Sequence, residues 1–194
     1  MSGTLYIKNM VCPRCIKVVR EELGRLGWPP EQVELGEARF SKEIPGKELP
    51  RIRKALEENG FELLDDKKQK QVEQLKNLII EMVHYAPGDR KPHENHSDYI
   101  ARKLGQEYGY LSNLFSASEQ LTIEKYIILQ KTERVKELLA YGELSLSEIA
   151  YRMDYSSVAH LSAQFKKVTG LTPSHFKKIG DVRRKGLDRV GKGE

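Results

Sequence analysis

Cys12 and Cys15 are the side chains of this sequence best suited to bind a metal ion. They are the only cysteines in the chain, and two residues separate them at the predicted start of a helix. Because the positive end of a helix stabilises a thiolate, this spacing predicts converging sulfurs with lowered pKa values. Thiolates bind soft ions such as Cu(I), and two of them suffice for near-linear coordination, with Met10 nearby as a weak thioether ligand. The pair therefore predicts a soft-metal site.

Two other interpretations of the cysteine pair remain open. The spacing Cys-Pro-x-Cys also occurs in thioredoxin-type redox sites, although those follow a different strand order and place a Trp before the first cysteine. The pair could also sit in a vestigial loop whose domain is retained for protein contacts alone. A closed structural zinc site is disfavoured, because it would need four ligands. Three histidines near a proline-containing loop, His84, His93 and His96, are candidates for a second metal site, although solvated histidines are far commoner there.

The cysteines follow the first of several short elements whose order is informative. Strands are predicted at residues 4–8, 32–35, 38–40 and 60–64, and helices at 16–26 and 49–59. The resulting order βαββαβ is ferredoxin-like. With Met-x-Cys-x-x-Cys after the first strand and Gly60-Phe61 near the end, residues 3–66 resemble the heavy-metal-associated domain of copper chaperones and metal-pumping ATPases. That resemblance implies that Cys12 and Cys15 hold Cu(I) or another soft metal ion as a cofactor.

A helix-pair pattern occurs twice in the C-terminal half. In each copy, Ile-Ala-x-x-Leu or Ile-Ala-x-x-Met is followed by Leu-Ser-x-x-Phe, at residues 100–115 and 149–165. The apolar residues can bury one face of each helix against the other, and the small Ala permits the close crossing of a helix-turn-helix. A predicted helix at 122–139 joins the copies. Its length of ~27 Å suits two readers about one DNA turn apart. The repeat therefore predicts a paired DNA reader.

The second copy also carries a more specific signature. Phe165-Lys166-Lys167 is followed by Gly170-Leu171-Thr172-Pro173-Ser174. Residues 72–178 thereby resemble the DNA-binding domain of AraC/XylS-type transcription regulators. The resemblance implies seven helices, of which two recognition helices enter successive major grooves. Local residue types agree: Ser145 and Ser147 are N-cap candidates before Glu148, Gly170 is a C-cap, Pro173 begins the last helix, and Ser97 caps the first reader helix.

The predicted DNA contacts lie opposite the buried face of the second helix in each copy. Asparagine can pair with adenine, histidine can meet a guanine or a phosphate, and alanine permits close approach to thymine methyl groups. The first copy lacks the lysine pair that follows Phe165, which predicts weaker phosphate anchoring there. The predicted DNA-facing residues are Tyr110, Ser112, Asn113 and Ser116 in the first copy, and Ala159, His160, Ser162, Ala163, Lys166 and Lys167 in the second.

Charge is distributed unevenly along the 194 residues. The net charge is +5, with −1 in residues 1–66 and +6 in the remainder, where phosphate contacts are expected. A polar run at 65–71 marks the junction and leads directly into an amphipathic helix that ends near His84. The predicted domains are residues 1–66, residues 67–180, and a basic, disordered tail at 181–194. The predicted fold class is α+β multidomain, with a ferredoxin-like βαββαβ domain followed by an all-α double helix-turn-helix domain.

Together these patterns predict a regulator that binds specific sequences in double-stranded DNA and responds to a soft metal ion. Two alternatives remain: a copper-trafficking protein whose basic domain docks a protein partner, and a metal-independent regulator with a vestigial metal domain. An enzyme is disfavoured, because the sequence shows no Ser/His/Asp arrangement, paired carboxylates or phosphate loop. The absence of a long apolar run or a signal peptide predicts a cytoplasmic protein without a membrane partner, either a monomer or a homodimer.

Overall fold

A computed structural model describes residues 3–85, 94–179 and 190 of the chain. Its N-terminal part alternates strands and helices, and its C-terminal part is helical. The elements are β1 (Gly3–Lys8), α1 (Pro13–Arg25), β2 (Gln32–Glu34), β3 (Glu37–Phe40), α2 (Leu49–Glu58), β4 (Glu62–Leu64), α3 (Lys67–Ile80), α4 (His96–Leu104), α5 (Tyr108–Glu119), α6 (Ile123–Tyr141), α7 (Leu146–Arg152), α8 (Val158–Thr169) and α9 (Pro173–Ile179). A 3-10 turn (Gly46–Glu48) precedes α2, and a π-helical segment (Glu81–Tyr85) follows α3.

The four strands form one antiparallel sheet in the order β2-β3-β1-β4. Leu5 of β1 lies opposite Ala38 of β3, and Ile7 lies opposite Leu63 of β4. Strand β3 alternates buried and exposed side chains, which is typical of a sheet with one covered face. Every strand and helix predicted for residues 4–64 is present, with ends that differ by up to a few residues.

Helix α1 begins three residues earlier than its predicted start because of Pro13. Proline has no N–H to lose in the first turn, and its fixed φ suits the first helical position. Cys12 therefore becomes the N-cap residue of α1. Below the helix, the apolar core of this part contains the inner faces of the sheet, α1 and α2. Its buried residues are Ile7, Met10, Val19, Leu23, Val33, Ala38, Phe40, Ile44, Ile52, Leu56, Phe61 and Leu63.

The helical part contains capping interactions at several of the predicted positions. Ser145 caps α7, and its hydroxyl and the Glu148 carboxylate form a reciprocal capping box; Ser147 lies inside that helix. Gly170 ends α8 in the left-handed conformation, with φ +77°, and α9 begins at Pro173 as predicted. The predicted cap at Ser97 is wrong. Asn95 caps α4 instead, because its side-chain oxygen accepts the backbone N–H of Asp98 at 2.8 Å.

The chain divides into two compact units. One holds Met1–Leu78 with Asn95–Leu114, and the other holds Ile79–Glu94 with Phe115–Glu194. These units do not coincide with the division predicted after residue 66, because the first unit also includes most of α3, all of α4 and the start of α5; the predicted domains stay a prediction. Most of the predicted loop at 85–96, and all but residue 190 of the predicted tail, lie outside the described residues.

None of the helices within residues 3–85 and 94–179 is both long and apolar enough to cross a membrane.

Candidate nucleic-acid interface and cysteine pair

The second helix-turn-helix copy is built from α7 and α8 around a shared apolar core. Ile149, Ala150 and Met153 of α7 and its C-cap are buried in one cluster with Leu161 and Phe165 of α8. Asp154, directly after α7, has φ 54°, a left-handed conformation that Asp tolerates better than most residues. It reverses the chain, so that α8 can begin four residues later. The packing predicted for this copy is confirmed.

The outward face of α8 carries the side chains that the sequence predicts to meet DNA. Five of them are exposed and Ser162 is half-buried, whereas Leu161 and Phe165 on the opposite face are fully buried or nearly so. The buried and exposed faces of α8 are therefore the ones that the sequence predicts. Contact of these side chains with DNA stays a prediction. The exposed residues of the predicted set are Ala159, His160, Ala163, Lys166 and Lys167.

Tyr155, in the turn before α8, organises the side chains around His160. Its ring lies edge-on to the imidazole, with centroids 5.4 Å apart and planes at 88°. Its hydroxyl donates to Gln164 Oε1 at 2.6 Å, and desolvation raises the pKa of Tyr155 to about 12, so the hydroxyl keeps its proton. Ser156 Oγ lies 3.1 Å from His160 Nδ1. The exposed imidazole is therefore held from two sides.

Lys131 of α6 fixes the same turn from the other direction. Its ammonium donates to the carbonyl of Met153 at 2.9 Å and lies 5.4 Å from the centroid of the Tyr155 ring. Lys131 thus contacts two residues in the first part of the turn between α7 and α8. The sequence did not indicate this contact or the roles of Tyr155, Ser156 and Gln164. The signal available was the Tyr-Ser-Ser run before the N-terminus of α8, since Ser and Tyr there can contact the first turn of the helix.

The first copy presents its predicted DNA-facing residues less uniformly. Asn113 is exposed, whereas Ser112 and Ser116 are half-buried. Tyr110 is 45% exposed, but its hydroxyl donates to Gln71 Oε1 of α3 at 2.9 Å. The Tyr110 side chain therefore already has a partner within its own compact unit, which the sequence did not indicate. The buried positions Leu111 and Phe115 agree with the predicted inner face of α5.

Basic side chains accompany the two copies at different places. The last turn of α8 contains Lys166 and Lys167, whereas the last turn of α5 contains no basic residue. The first copy has exposed Arg102 and Lys103 at the C-terminal end of α4 instead. As the sequence predicts, α5 has no counterpart of the lysine pair of α8. The basic side chains Arg102 and Lys103 of this copy lie on α4 instead.

The two cysteines converge at the N-terminus of α1. Cys12 Sγ and Cys15 Sγ are 3.3 Å apart, and both thiols are free and half-buried. The prediction of lowered pKa values is wrong for Cys15. Burial raises the pKa of this thiol, and this desolvation outweighs the backbone hydrogen bonds that favour the thiolate. The helix N-terminus brings the sulfurs together, but the apolar surroundings keep Cys15 protonated over a wider pH range.

Two converging thiols fit a soft monovalent ion with low coordination number. Within residues 3–85 and 94–179 there is no group of three or more His, Cys, Asp and Glu side chains that could hold a metal, so a closed zinc site has no support there. Met10 is fully buried in the apolar core, which gives it a packing role; its contact with a metal stays a prediction.

The proposed second metal site at the histidines gains no support. His84 is buried in the π-helical segment, and its Nε2 lies 2.9 Å from Gln130 Oε1. His96 is the first residue of α4 and His93 lies outside the described residues. His84 is therefore neither a solvated loop residue nor a member of a described ligand cluster. Its role in the structure is a buried hydrogen bond to α6.

A polar face of α3 lies against the cysteine-containing part of the same compact unit. Glu73 Oε1 accepts the backbone N–H of Asn9 at 3.1 Å, and the ammonium of Lys70 lies 5.1 Å from the centroid of the Tyr6 ring. The Asn77 amide is buried without a hydrogen-bond partner. A Cβ on Gly36 would lie 2.1 Å from Asn77 Nδ2, so only glycine allows this approach. The Asn77 side chain therefore lies close to Gly36, and it places a polar amide where protein interiors usually have apolar side chains.

Comparison with known proteins identifies the helical part. A family model described as a helix-turn-helix domain matches residues 100–179. The Msm operon regulatory protein of Streptococcus mutans is 35% identical over 79 residues, which cover 41% of this chain and 28% of that protein. The melibiose operon regulatory protein of Escherichia coli K12 is 26% identical over 85 residues, which cover 44% of this chain and 28% of that protein. Residues 100–179 are a helix-turn-helix domain.

Solved structures with the same kind of domain are only distantly similar. The C-terminal domain of AraT from Geobacillus stearothermophilus is 22% identical, covers 62% of this chain and 92% of that one, and has a TM-score of 0.48. An AraC-type regulator from Chromobacterium violaceum is 22% identical, covers 57% and 91%, and has a TM-score of 0.49.

The two relatives are operon regulatory proteins, and the family model that matches this chain describes a helix-turn-helix domain. The chain spans 28% of the length of each of the two operon regulators. The family match begins at residue 100, so the resemblance of residues 3–66 to a heavy-metal-associated domain stays a prediction.

Proposed function

We propose that this protein regulates transcription by binding specific double-stranded DNA sequences, in response to a soft metal ion at Cys12 and Cys15. The observation that carries the DNA part is the helix-turn-helix match at residues 100–179, together with the outward face of α8. Ala159 and Ala163 allow a base edge to approach the helix, and His160 lies between them on the exposed surface. Lys166 and Lys167 follow, with charge for phosphate contacts.

The sensor in this proposal is the N-terminal βαββαβ part, which we assign to the ferredoxin-like fold. Its support is the element order, the antiparallel sheet order β2-β3-β1-β4, and the thiol pair at the N-terminus of α1. Cys12 and Cys15 would hold the ion, and their sulfurs already lie 3.3 Å apart. A soft ion such as Cu(I) would supply a positive charge and a fixed geometry between the two thiolates.

Helix α3 provides the route from the cysteines to the DNA-binding part. Its Glu73 carboxylate accepts the N–H of Asn9, three residues before Cys12. Its Gln71 side chain accepts the hydroxyl of Tyr110 in α5. One helix therefore contacts both the segment that leads into the metal loop and the first recognition helix, within one compact unit. A rotation of the Asn9 peptide on metal binding would act directly on this helix.

The unsatisfied Asn77 amide makes the docked arrangement of α3 easier to change. A buried polar group without a partner costs about 1–3 kcal/mol, and Asn77 faces Gly36 across a contact that admits no other side chain. An alternative position of α3 that gave this amide a partner would recover this cost, which would reduce its free-energy difference from the docked arrangement. Two states of similar free energy are what a ligand needs to shift a population.

The decisive experiment selects bound sequences from random DNA with the full chain, with and without Cu(I), and then titrates the selected DNA at fixed salt. We expect one preferred sequence and a metal-dependent change in Kd of about 5–150-fold, the usual range for coupled sites. Cys12→Ser/Cys15→Ser should abolish Cu(I) binding and the change in Kd. Glu73→Gln, which keeps the size of the side chain, should retain Cu(I) binding and reduce the change in Kd.

The outcomes separate the alternatives. Weak binding to every DNA sequence with no preference would contradict the regulator and favour a metal-trafficking protein. Specific binding with identical Kd values for apo and Cu(I)-loaded protein would leave a metal-independent regulator. Equal Cu(I) affinity in the double serine variant would remove the proposed site.

A further inference from the structure

The His160 side chain is held more firmly than an exposed histidine usually is. It lies at the third position of α8, and its backbone N–H donates to the N-cap hydroxyl of Ser157 at 3.1 Å. Its ring is bounded by the edge-to-face contact with Tyr155 and by Ser156 Oγ, 3.1 Å from Nδ1. Residues near the N-terminus of a recognition helix are the ones that reach base edges. The ring is therefore oriented before DNA arrives.

The contact at Nδ1 determines which nitrogen can meet DNA. Ser156 occupies Nδ1, so Nε2, on the other side of the exposed imidazole, is the nitrogen that can turn toward DNA. When the serine hydroxyl donates to Nδ1, the proton of the neutral ring is on Nε2. When the ring is protonated, Nδ1–H donates to the same hydroxyl oxygen and Nε2 still carries a proton. A hydroxyl both donates and accepts, so the proposed arrangement is the one in which Ser156 donates to the neutral ring or accepts from the protonated ring.

We propose that Ser156 and Tyr155 position His160 so that Nε2–H donates to the N7 acceptor of a guanine in the major groove. Guanine presents two acceptors side by side, whereas adenine presents an amino donor beside its N7. A single fixed N–H donor at this position therefore favours guanine. Ser156 is a positioning residue outside the recognition helix. The inference rests on the proposed DNA-binding function and names the base that one side chain reads.

Tyr155 adds the second restraint, and it is fixed in turn by its own neighbours. Its hydroxyl is bonded to Gln164, one helical turn after His160, and the Lys131 ammonium lies over its ring. The ring edge is thereby held against the imidazole, while Ser156 sets the rotation of the ring. Loss of the Ser156 hydroxyl should free this rotation without removing a core side chain, because Ser156 is exposed.

The test uses the full chain and the sequence it selects from random DNA. Each guanine of that sequence is replaced in turn by 7-deazaguanine, which lacks N7. We expect one guanine at which the replacement weakens wild-type binding about fivefold, the usual effect of one hydrogen bond. His160→Ala should lose about the same factor on unmodified DNA and become insensitive to the replacement. Ser156→Ala should lose most of this sensitivity, and Ser156→Thr, which keeps a hydroxyl, should retain it.

A control variant and an NMR measurement test the positioning role of Ser156 separately from DNA binding. Ser147→Ala removes another exposed serine hydroxyl, on α7, and should behave as wild type. Long-range ¹H–¹⁵N spectra of the full chain without DNA should show a changed His160 Nδ1 resonance in Ser156→Ala but not in Ser156→Thr. An unchanged resonance, or wild-type sensitivity to 7-deazaguanine in Ser156→Ala, would overturn the positioning role.

Three further outcomes overturn the base assignment in distinguishable ways. If His160→Ala weakens all sequences alike and lowers the salt dependence, the ring meets a phosphate. If no sequence is selected from random DNA, the proposed function fails together with this inference. A selected sequence in which no guanine responds to the replacement would leave the proposed function intact and reject the guanine contact.

Discussion

The two helix-turn-helix copies share one sequence pattern but differ in what surrounds their recognition helices. In the second copy, Tyr155 and Lys131 hold the turn before α8 through contacts within the same compact unit. In the first copy, Tyr110 of α5 donates to Gln71 on α3, the helix that also accepts the N–H of Asn9 near the cysteines. In the proposed regulator, the second copy would therefore read bases with side chains that are already fixed, and the first would connect to the sensor. Similar motifs in one chain can therefore have different tasks.

The largest expected effect is the loss of stability when a buried phenylalanine is removed from either copy, and it shows whether the two copies contribute equally to the core. Phe115→Ala and Phe165→Ala each remove a fully or almost fully buried ring and should each cost ~3–5 kcal/mol of the free energy of unfolding. Chemical denaturation measures both. The rings contact Tyr126 and Phe176, respectively, at centroid distances of 5.5 Å. A loss below ~1 kcal/mol for either variant would contradict the burial.

The next effect concerns base reading by the first copy. Asn113→Ala should relax the preference for one base pair by ~1–3 kcal/mol, because an exposed asparagine on the outer face of α5 can pair with adenine. Competition between the selected sequence and its single-base variants measures the preference. If Asn113→Ala weakened all sequences equally, the first copy would contribute only non-specific contacts, and the contrast between the copies would deepen.

A smaller and uniform effect is expected from the lysines of the second copy. Lys167→Ala should weaken binding to every sequence alike and reduce the salt slope by about 1, as loss of one phosphate contact does. Lys103→Ala on α4 is the matched change in the first copy. Equal effects of the two variants would show that phosphate anchoring is shared, whereas a change of base preference in Lys167→Ala would show that α8 is wrongly oriented.

The hydroxyl of Tyr110 should matter for stability rather than for DNA. Tyr110→Phe removes the hydrogen bond to Gln71 and should cost ~0.5–1.5 kcal/mol of the free energy of unfolding. Tyr141→Phe is the control, because the hydroxyl of Tyr141 makes only a long 3.3 Å bond to Glu137 on an exposed surface. Lower DNA affinity with unchanged stability in Tyr110→Phe would restore the hydroxyl to the DNA-facing set.

The smallest expected effect is a dependence of stability on pH through His84. Burial lowers the pKa of His84 below its usual value of 6.5, and Glu133 and Glu137 of α6 oppose this shift while Arg134 adds to it. The unfolded chain therefore takes up the proton more readily, so stability is complete above about pH 6.5 and falls as the pH drops below it. Denaturation between pH 7.5 and 5.5 should show this slope in the wild type. The slope should be smaller in His84→Gln, and equal slopes would exclude His84 as its source.

The sequence alone predicted the elements and the two helix pairs, because these depend on local patterns. Spacing of apolar residues fixed the buried faces of α5 and α8, and Pro173 and Gly170 fixed helix ends. Cap choice was less certain, since Asn95 and Ser97 both suit an N-cap and only the backbone conformation decides between them. The predicted direction of the Cys15 pKa shift was wrong for a related reason. The sequence indicates that the thiol lies at a helix N-terminus, but it does not indicate that the thiol is buried.

Only the tertiary structure decided which side chains meet across distant segments. The pairing of Asn9 with Glu73, of Gln71 with Tyr110 and of Lys131 with the turn after α7 joins residues that are 22 to 64 positions apart. No periodicity in the sequence encodes such pairs, because each depends on how complete elements pack. The Ser156–His160 contact spans only four residues, yet it too needed the structure, since the rotation of a ring is set by its neighbours and not by its spacing. The sequence by itself determined what the helices are; their packing decided which side chains are fixed in place and which remain available to DNA.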